Sequence, residues 1–143
     1  MSSDSEARFD ELLALISNAE APLNPEYVAH EALACAEQGA TAARFAAVVN
    51  GAGFGCAQDW SAALYWLGQA AERGDAQARA EFAVLTPGAV DGWAEHAARF
   101  DAAAWTAARA TRAISAHPRI GHADAFLEAP VCAWLIERAR TQL

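Results

Sequence analysis

The chain has 143 residues, 10 of them Lys or Arg against 18 Asp or Glu, for a formal net charge of −8, and 55% of them are hydrophobic. That length suits one domain, and 40 Ala against only 9 Gly and 5 Pro favour helix and exclude an all-β fold or a disordered tail. Residues 1–90 carry 4 Arg and 12 acids while residues 91–143 carry 6 of each, so the clustered positive charge that binds phosphates is missing and nucleic acid is excluded as a partner.

Three widely spaced cysteines, Cys35, Cys56 and Cys132, with no CxxC pair, fit a reducing compartment, and each reads as a small buried side chain. The acidic start MSSDSEARFDELL is unlike a secretory signal, and no apolar run approaches 18 residues, so no membrane span is expected and the protein reads as cytoplasmic.

Ser3 and Glu6 have the spacing of a capping box, ahead of Phe9, Leu12, Leu13 and Ile16 on one helical face. In Ala21-Pro22-Leu23-Asn24-Pro25, Asn24 is a natural N-cap with Pro25 at the first helical position. A second helix is predicted from about Pro25 to Gln38, ended by Gly39 as a left-handed residue.

From there the chain repeats at an offset of 35: Ala36-Glu37-Gln38-Gly39 returns as Ala71-Glu72-Arg73-Gly74, and Ala43-Arg44 as Ala78-Arg79. The cap Asn24 maps onto Asp59, and the stripe Val28, Ala32, Cys35 onto Ala63, Leu67, Ala70. Agreement of caps, faces and terminators at one period indicates stacked helical hairpins, an α-solenoid. The bulky residues Phe45, Val48 and Val49 in one copy and Phe82, Val84 and Leu85 in the other do not align. Gly51, Gly53 and Gly55 bend the central hairpin; a phosphate-cradling role would need a preceding strand, and the Walker type a Lys, whereas here a helix precedes and the chain has no Lys.

Residues 42–85 resemble the Sel-one-like repeat, a short relative of the tetratricopeptide repeat. The likeness rests on the small-residue helix from Ala43, the Gly51, Gly53, Gly55 bend, Asp59, Ala63, Trp66, Leu67 and the Ala70-Ala71-Glu72-x-Gly74-Asp75 close. It implies stacked antiparallel helices that bind other proteins or act as scaffold. Cys56 departs from the small aliphatic residue common there.

Beyond Thr86-Pro87-Gly88, Asp91 is a candidate cap, and Trp93, Ala97, Phe100 and Ala104 share one helical face, predicting one long helix or two broken near Asp101, with Trp105, Ala108 and Arg112 as a second stripe. His117-Pro118 ends any helix; Ile120, His122, Asp124 and Phe126 alternate faintly like a strand, and Pro130 opens a last helix whose expected buried face is Cys132, Leu135, Ile136 and Ala139. His117-Pro118-Arg119-Ile120, Phe126-Leu127 and the run Cys132 to Arg140 resemble the opening of a prolyl-4-hydroxylase-like iron(II) and 2-oxoglutarate dioxygenase. The resemblance stops before the catalytic barrel, which needs roughly a hundred further residues. His122-Ala123-Asp124 is not the iron motif: it precedes the final helix, and no histidine follows it, so the three-ligand set cannot close. His30 and Cys35 are five apart, too far round a helix to act as base and nucleophile, and no nucleophile elbow is present.

These readings predict an all-α chain of about six to seven helices, divided into a helical-repeat region (1–86), a helical linker or capping helices (87–113) and a C-terminal segment resembling the start of a dioxygenase domain (114–143). The expected function is non-catalytic protein–protein interaction or scaffolding, with no metal and no cofactor; the alternative is the N-terminal region of a dioxygenase, in which iron(II) and 2-oxoglutarate would belong to a barrel outside this chain. A protein or peptide partner would meet Tyr27, His30, Glu31, Tyr65 and Gln69, because offset 35 maps Tyr27, His30, Glu31 and Ala34 onto Ala62, Tyr65, Trp66 and Gln69; Trp66 itself is expected in the core between hairpins. Without a barrel, Trp134, Leu135 and Ile136 would be uncovered, which favours homo-oligomers through the C-terminal segment.

Overall fold

A computed structural model describes residues 2–18, 20, 22–88 and 92–140, and side chains from residue 7 onward. The side chains of the expected Ser3–Glu6 capping box, and the expected cap Asp91, lie outside what is described. The fold is mostly helical with one two-stranded sheet: α1 (Ser2–Ser17), α2 (Pro25–Cys35), α3 (Ala40–Ala52), α4 (Trp60–Glu72), α5 (Ala76–Leu85), α6 (Trp93–Arg99), α7 (Ala102–Thr106), β1 (Arg112–Ala116), β2 (Arg119–His122) and α8 (Ala129–Arg140). No described helix is long and apolar enough to cross a membrane. The chain forms two compact units, residues 1–100 and 101–143.

In the first unit the expected caps Asn24 and Asp59 hold helix starts, and so does Asp75, which the sequence did not single out as a cap. Asn24 Oδ1 accepts from the Glu26 and Tyr27 amides at 3.0 and 3.2 Å, Asp59 from Ala62 at 3.0 Å and Asp75 from Ala78 at 2.8 Å, each satisfying amides that the helix leaves unpaired. Gly53 ends α3 at φ 66°, and the Phe54 amide bonds back to the Val49 carbonyl. Gly74, at φ 96°, ends α4 in the same left-handed way. Gly39 does not: α2 stops at Cys35, the Gln38 amide closes a turn on the Cys35 carbonyl, and Gly39 is extended at φ −178° as the N-cap of α3.

Two apolar clusters meet on either side of α3. Phe9 and Leu12 of α1 pack with Val28, Ala29, Ala32 and Cys35 of α2 against Ala42 and Val49; Leu64, Leu67, Ala70 and Ala71 of α4 pack with Ala78 and Phe82 of α5 against Ala43 and Ala47. Alanine on both faces lets helices approach α3 closely from two sides, so its large residues are few.

The misaligned bulky residues follow from one extra residue. α2 and α4 begin 35 apart, but α3 and α5 begin 36 apart. At 36 the buried positions Ala42, Ala46 and Asn50 correspond to Ala78, Phe82 and Thr86. Both polar members make the same bond, Asn50 Nδ2 to the Ala46 carbonyl at 2.8 Å and Thr86 Oγ1 to the Phe82 carbonyl at 3.0 Å.

The second unit departs from expectation. Residues 107–111 are not helical, and Arg112, expected on a helical stripe, opens β1. β1 pairs antiparallel with β2, Arg112 opposite His122 and Ala116 opposite Arg119, with a bulge between Ala113 and Ser115 and a cis His117–Pro118 bond in the turn. The expected buried face of α8 is also wrong. Val131 is its buried residue and Cys132 is half-buried, whereas Leu135 is 43% exposed, Ile136 54%, and Ala139 is exposed. One helix and two strands have too little apolar surface to cover a full helix face.

Candidate partner-binding face

α2 meets the α3–α4 loop at its start and the Arg73 cap of α4 just beyond its end. At the start, Gly55 at φ 70° presses on α2 so closely that a Cβ there would sit 1.8 Å from the Pro25 carbonyl oxygen. Beyond the end, Arg73 donates to the Ala36 carbonyl at 2.8 Å and pairs with Glu37 at 3.3 Å. At offset 35 the exposed Glu26, Tyr27, His30, Ala34 and Glu37 of the α2 row correspond to Ser61, Ala62, Tyr65, Gln69 and Glu72, of which Ala62 and Gln69 are half-buried; Gly68, opposite Leu33, faces Trp93 of α6 instead.

Of the residues expected on this face, Tyr27, His30 and Tyr65 are exposed. Tyr65 meets Trp66 edge-on, with ring centroids 5.0 Å apart, and Trp66 is half-buried against the second cluster. Gln69 is half-buried and engaged within α4, accepting from Arg73 at 3.2 Å and donating to Glu72 at 3.3 Å.

Glu31 does not belong to the face. It is buried, and Arg8 of α1 grips both carboxylate oxygens, Nη2 to Oε1 at 2.7 Å and Nε to Oε2. Position i+4 from Tyr27 lies on the boundary of the exposed stripe, and a cation arriving from α1 draws the carboxylate inward. The pairing carries a pH dependence. The Arg8 hydrogen bonds hold the Glu31 carboxyl below its ordinary range. A folded pKa below the unfolded value of about 4.3 makes a stabilisation that is complete above that value and lost as pH falls through the folded pKa. Glu31→Gln is expected to flatten the decline of the urea midpoint between about pH 5 and pH 3; an identical acid profile in both proteins would refute a stabilising pair. Burial pushes the adjoining Cys35 thiol up, which keeps it protonated and unreactive.

An open hollow of about 610 Å³ beside the face is lined by Asn24, Pro25, Glu26, Gly53, Gly55 and Cys56. The Glu26 and Tyr27 amides at its rim already donate to Asn24.

Sequence reasoning did not single out His96. It is buried, its Nδ1 2.6 Å from Thr86 Oγ1 and its ring stacked on Trp93 at 5.3 Å. Because the Thr86 hydroxyl donates to the Phe82 carbonyl, Nδ1 carries the hydrogen of the short bond, and His96 ties α5 to α6. Its only sequence signal is a place on α6 next to the aromatic stripe.

His122 Nδ1 and Asp124 Oδ1 face each other at 3.3 Å at an exposed turn. Among the described residues no three His, Cys, Asp or Glu side chains gather as metal ligands would. In comparisons with known proteins, no protein family, no curated protein and no solved structure matches the chain.

Proposed function

We propose that the chain is a non-catalytic, cytoplasmic helical-repeat module for protein–protein interaction, its helices α2 to α5 forming two tetratricopeptide-like (Sel-one-like) hairpins of a short α-solenoid. One observation carries this reading: Tyr27 of α2 and Tyr65 of α4 are 50% and 54% exposed, large aromatic side chains of the type that anchors partners. The equivalent caps Asn24 and Asp59, the 35-residue and 36-residue spacings of helix starts and the shared side-chain bonds of Asn50 and Thr86 support the hairpin repeat.

A second reading, that residues 101–143 open a prolyl-4-hydroxylase-like domain, is favoured by the uncovered Ile114, Ile120, Phe126, Leu135 and Ile136. His122 and Asp124 take no part in it as iron ligands. The same uncovered side chains favour self-association through this unit.

Photocrosslinking tests both partner assignments at once. Benzoylphenylalanine at Tyr65 is expected to give a saturable adduct with another protein in extract of the source cells, weakened by Tyr27→Ala; at Ile136 it is expected to give an adduct at twice the 15.1 kDa of the chain. Diffuse, unsaturable labelling at Tyr65 equal to that at the exposed Asp10 of α1 would reject the interaction module. Monomer alone at Ile136 would reject self-association.

A further inference from the structure

Seven of the chain's ten arginines are engaged by a carboxylate, a carbonyl or an aromatic ring. The other three, Arg109, Arg112 and Arg119, are exposed and meet no carboxylate among the described residues. They fall within residues 102–123, which carry no Asp or Glu, and the first carboxylate beyond, Asp124, faces His122 at 3.3 Å.

The same stretch forms the hairpin of β1 and β2, whose backbone is as unsatisfied as its charge. The sheet has two strands, so each keeps an outer edge with no ladder partner among the described residues, and every residue of both strands except Ser115 is exposed. Two strands alone are marginal in water, and a third stabilises them. The bulge between Ala113 and Ser115 spoils the edge of β1 as a template, whereas β2 runs regularly from Arg119 to His122.

Side chains alternate along β2. Ile120 and His122 share one face with Arg112, which is directly opposite His122, and Arg119 lies on the other face. A strand laid along β2 would therefore meet Ile120, 45% exposed, and the Arg119 guanidinium at successive positions. An apolar side chain suits the first and a carboxylate the second. An open sheet edge selects polypeptide over lipid or nucleic acid, which have no row of N–H and C=O groups to complete the ladder. Neither strand offers a Phe, Tyr or Trp on which bases could stack.

We propose that the outer edge of β2 takes up an extended, acidic segment of a partner protein as a third strand, its carboxylates countered by the unpaired guanidiniums and an apolar side chain set beside Ile120. This surface belongs to residues 101–143 and does not depend on the tyrosines of α2 and α4.

The test is fluorescence anisotropy on the full chain with three short labelled peptides: one alternating valine and glutamate, its lysine-for-glutamate counterpart, and the acidic peptide N-methylated along its backbone. Amide hydrogen exchange is read by NMR alongside. The acidic peptide is expected to bind and the lysine peptide not to. N-methylation, which removes the ladder donors and keeps the charge, is expected to weaken binding by about tenfold or more. Bound acidic peptide is expected to slow exchange of the outward amides of β2. Arg119→Gln is expected to weaken the acidic peptide about tenfold; Arg119 is exposed, so circular dichroism of the variant should match the parent. Failure of the acidic peptide to bind, or unchanged affinity in Arg119→Gln, would overturn the proposal. Equal affinity for the N-methylated peptide without slowed exchange would overturn strand addition in favour of charge alone. A single-stranded oligonucleotide or a phosphatidylserine vesicle that displaces the peptide and binds more tightly would overturn it in favour of a phosphate ligand. Slowed exchange at β2 on raising the protein concentration, with no peptide present, would overturn it in favour of a second copy of the chain.

Discussion

Phe82→Ala is expected to cost about 3–5 kcal/mol of unfolding free energy and to lower the melting temperature by about 15 °C. Phe82 is 0% exposed and belongs to the cluster that joins α3, α4 and α5. Its ring also stacks on Trp93 at 5.7 Å and tilts against His96 at 5.5 Å, so it holds α6 to α5. The equivalent position in α3 is Ala46, and Phe82 is the largest fully buried side chain of the cluster. Thermal and urea unfolding would measure the loss, with Phe126→Ala as control, since Phe126 is exposed and its removal should change stability by no more than about 0.5 kcal/mol. A loss below about 1 kcal/mol at Phe82 would mean that the site collapses around the cavity and that the second cluster does not depend on it.

Gly55→Ala is expected to cost about 3 kcal/mol or more, well above Gly74→Ala at about 1–2 kcal/mol. Both glycines have positive φ, 70° and 96°, so each substitution incurs the left-handed strain of an L-residue. They differ in surroundings. A Cβ at Gly74 meets nothing within 4 Å, whereas one at Gly55 would lie 1.8 Å from the Pro25 oxygen and 2.7 Å from the Glu26 nitrogen. Those atoms are backbone, so relief requires moving the start of α2, and Tyr27 with it. Urea midpoints of the two variants give the comparison. Equal losses at both sites would mean that left-handed strain alone accounts for them and that α2 yields freely to the loop.

The first unit was legible in the sequence where the signal is local. Asn24 and Asp59 cap helices because a short polar side chain before an apolar period satisfies nearby amides wherever it occurs. Val28, Ala32, Cys35, Ala63, Leu67 and Ala70 are buried as their spacing requires, and Tyr27, His30 and Tyr65 lie opposite those stripes. The 35-residue repeat was visible for the same reason: it is carried by caps and turns.

What depended on the partner of each residue was not legible. Glu31 has a surface residue's chemistry and spacing; only the arrival of Arg8 from α1, 23 residues away, buries it. Gly39 and Gly74 occupy matching sequence positions, yet one is extended and the other left-handed, because the extra residue before α5 changes how the chain leaves the preceding helix. β1 is written in arginine, alanine, serine and one β-branched residue, Ile114, a composition that also suits a helix, and pairing with β2 decided the matter.

The sequence by itself determined the helical class, the helix starts held by side-chain caps and the inward faces of α2 and α4, since propensity, capping and periodicity act within a few residues along the chain. Only the tertiary structure decided that Glu31 turns inward, that the second pair of helices is spaced by 36 and that Leu135 and Ile136 of α8 stay uncovered, because burial is a property of what the rest of the chain brings to a side chain.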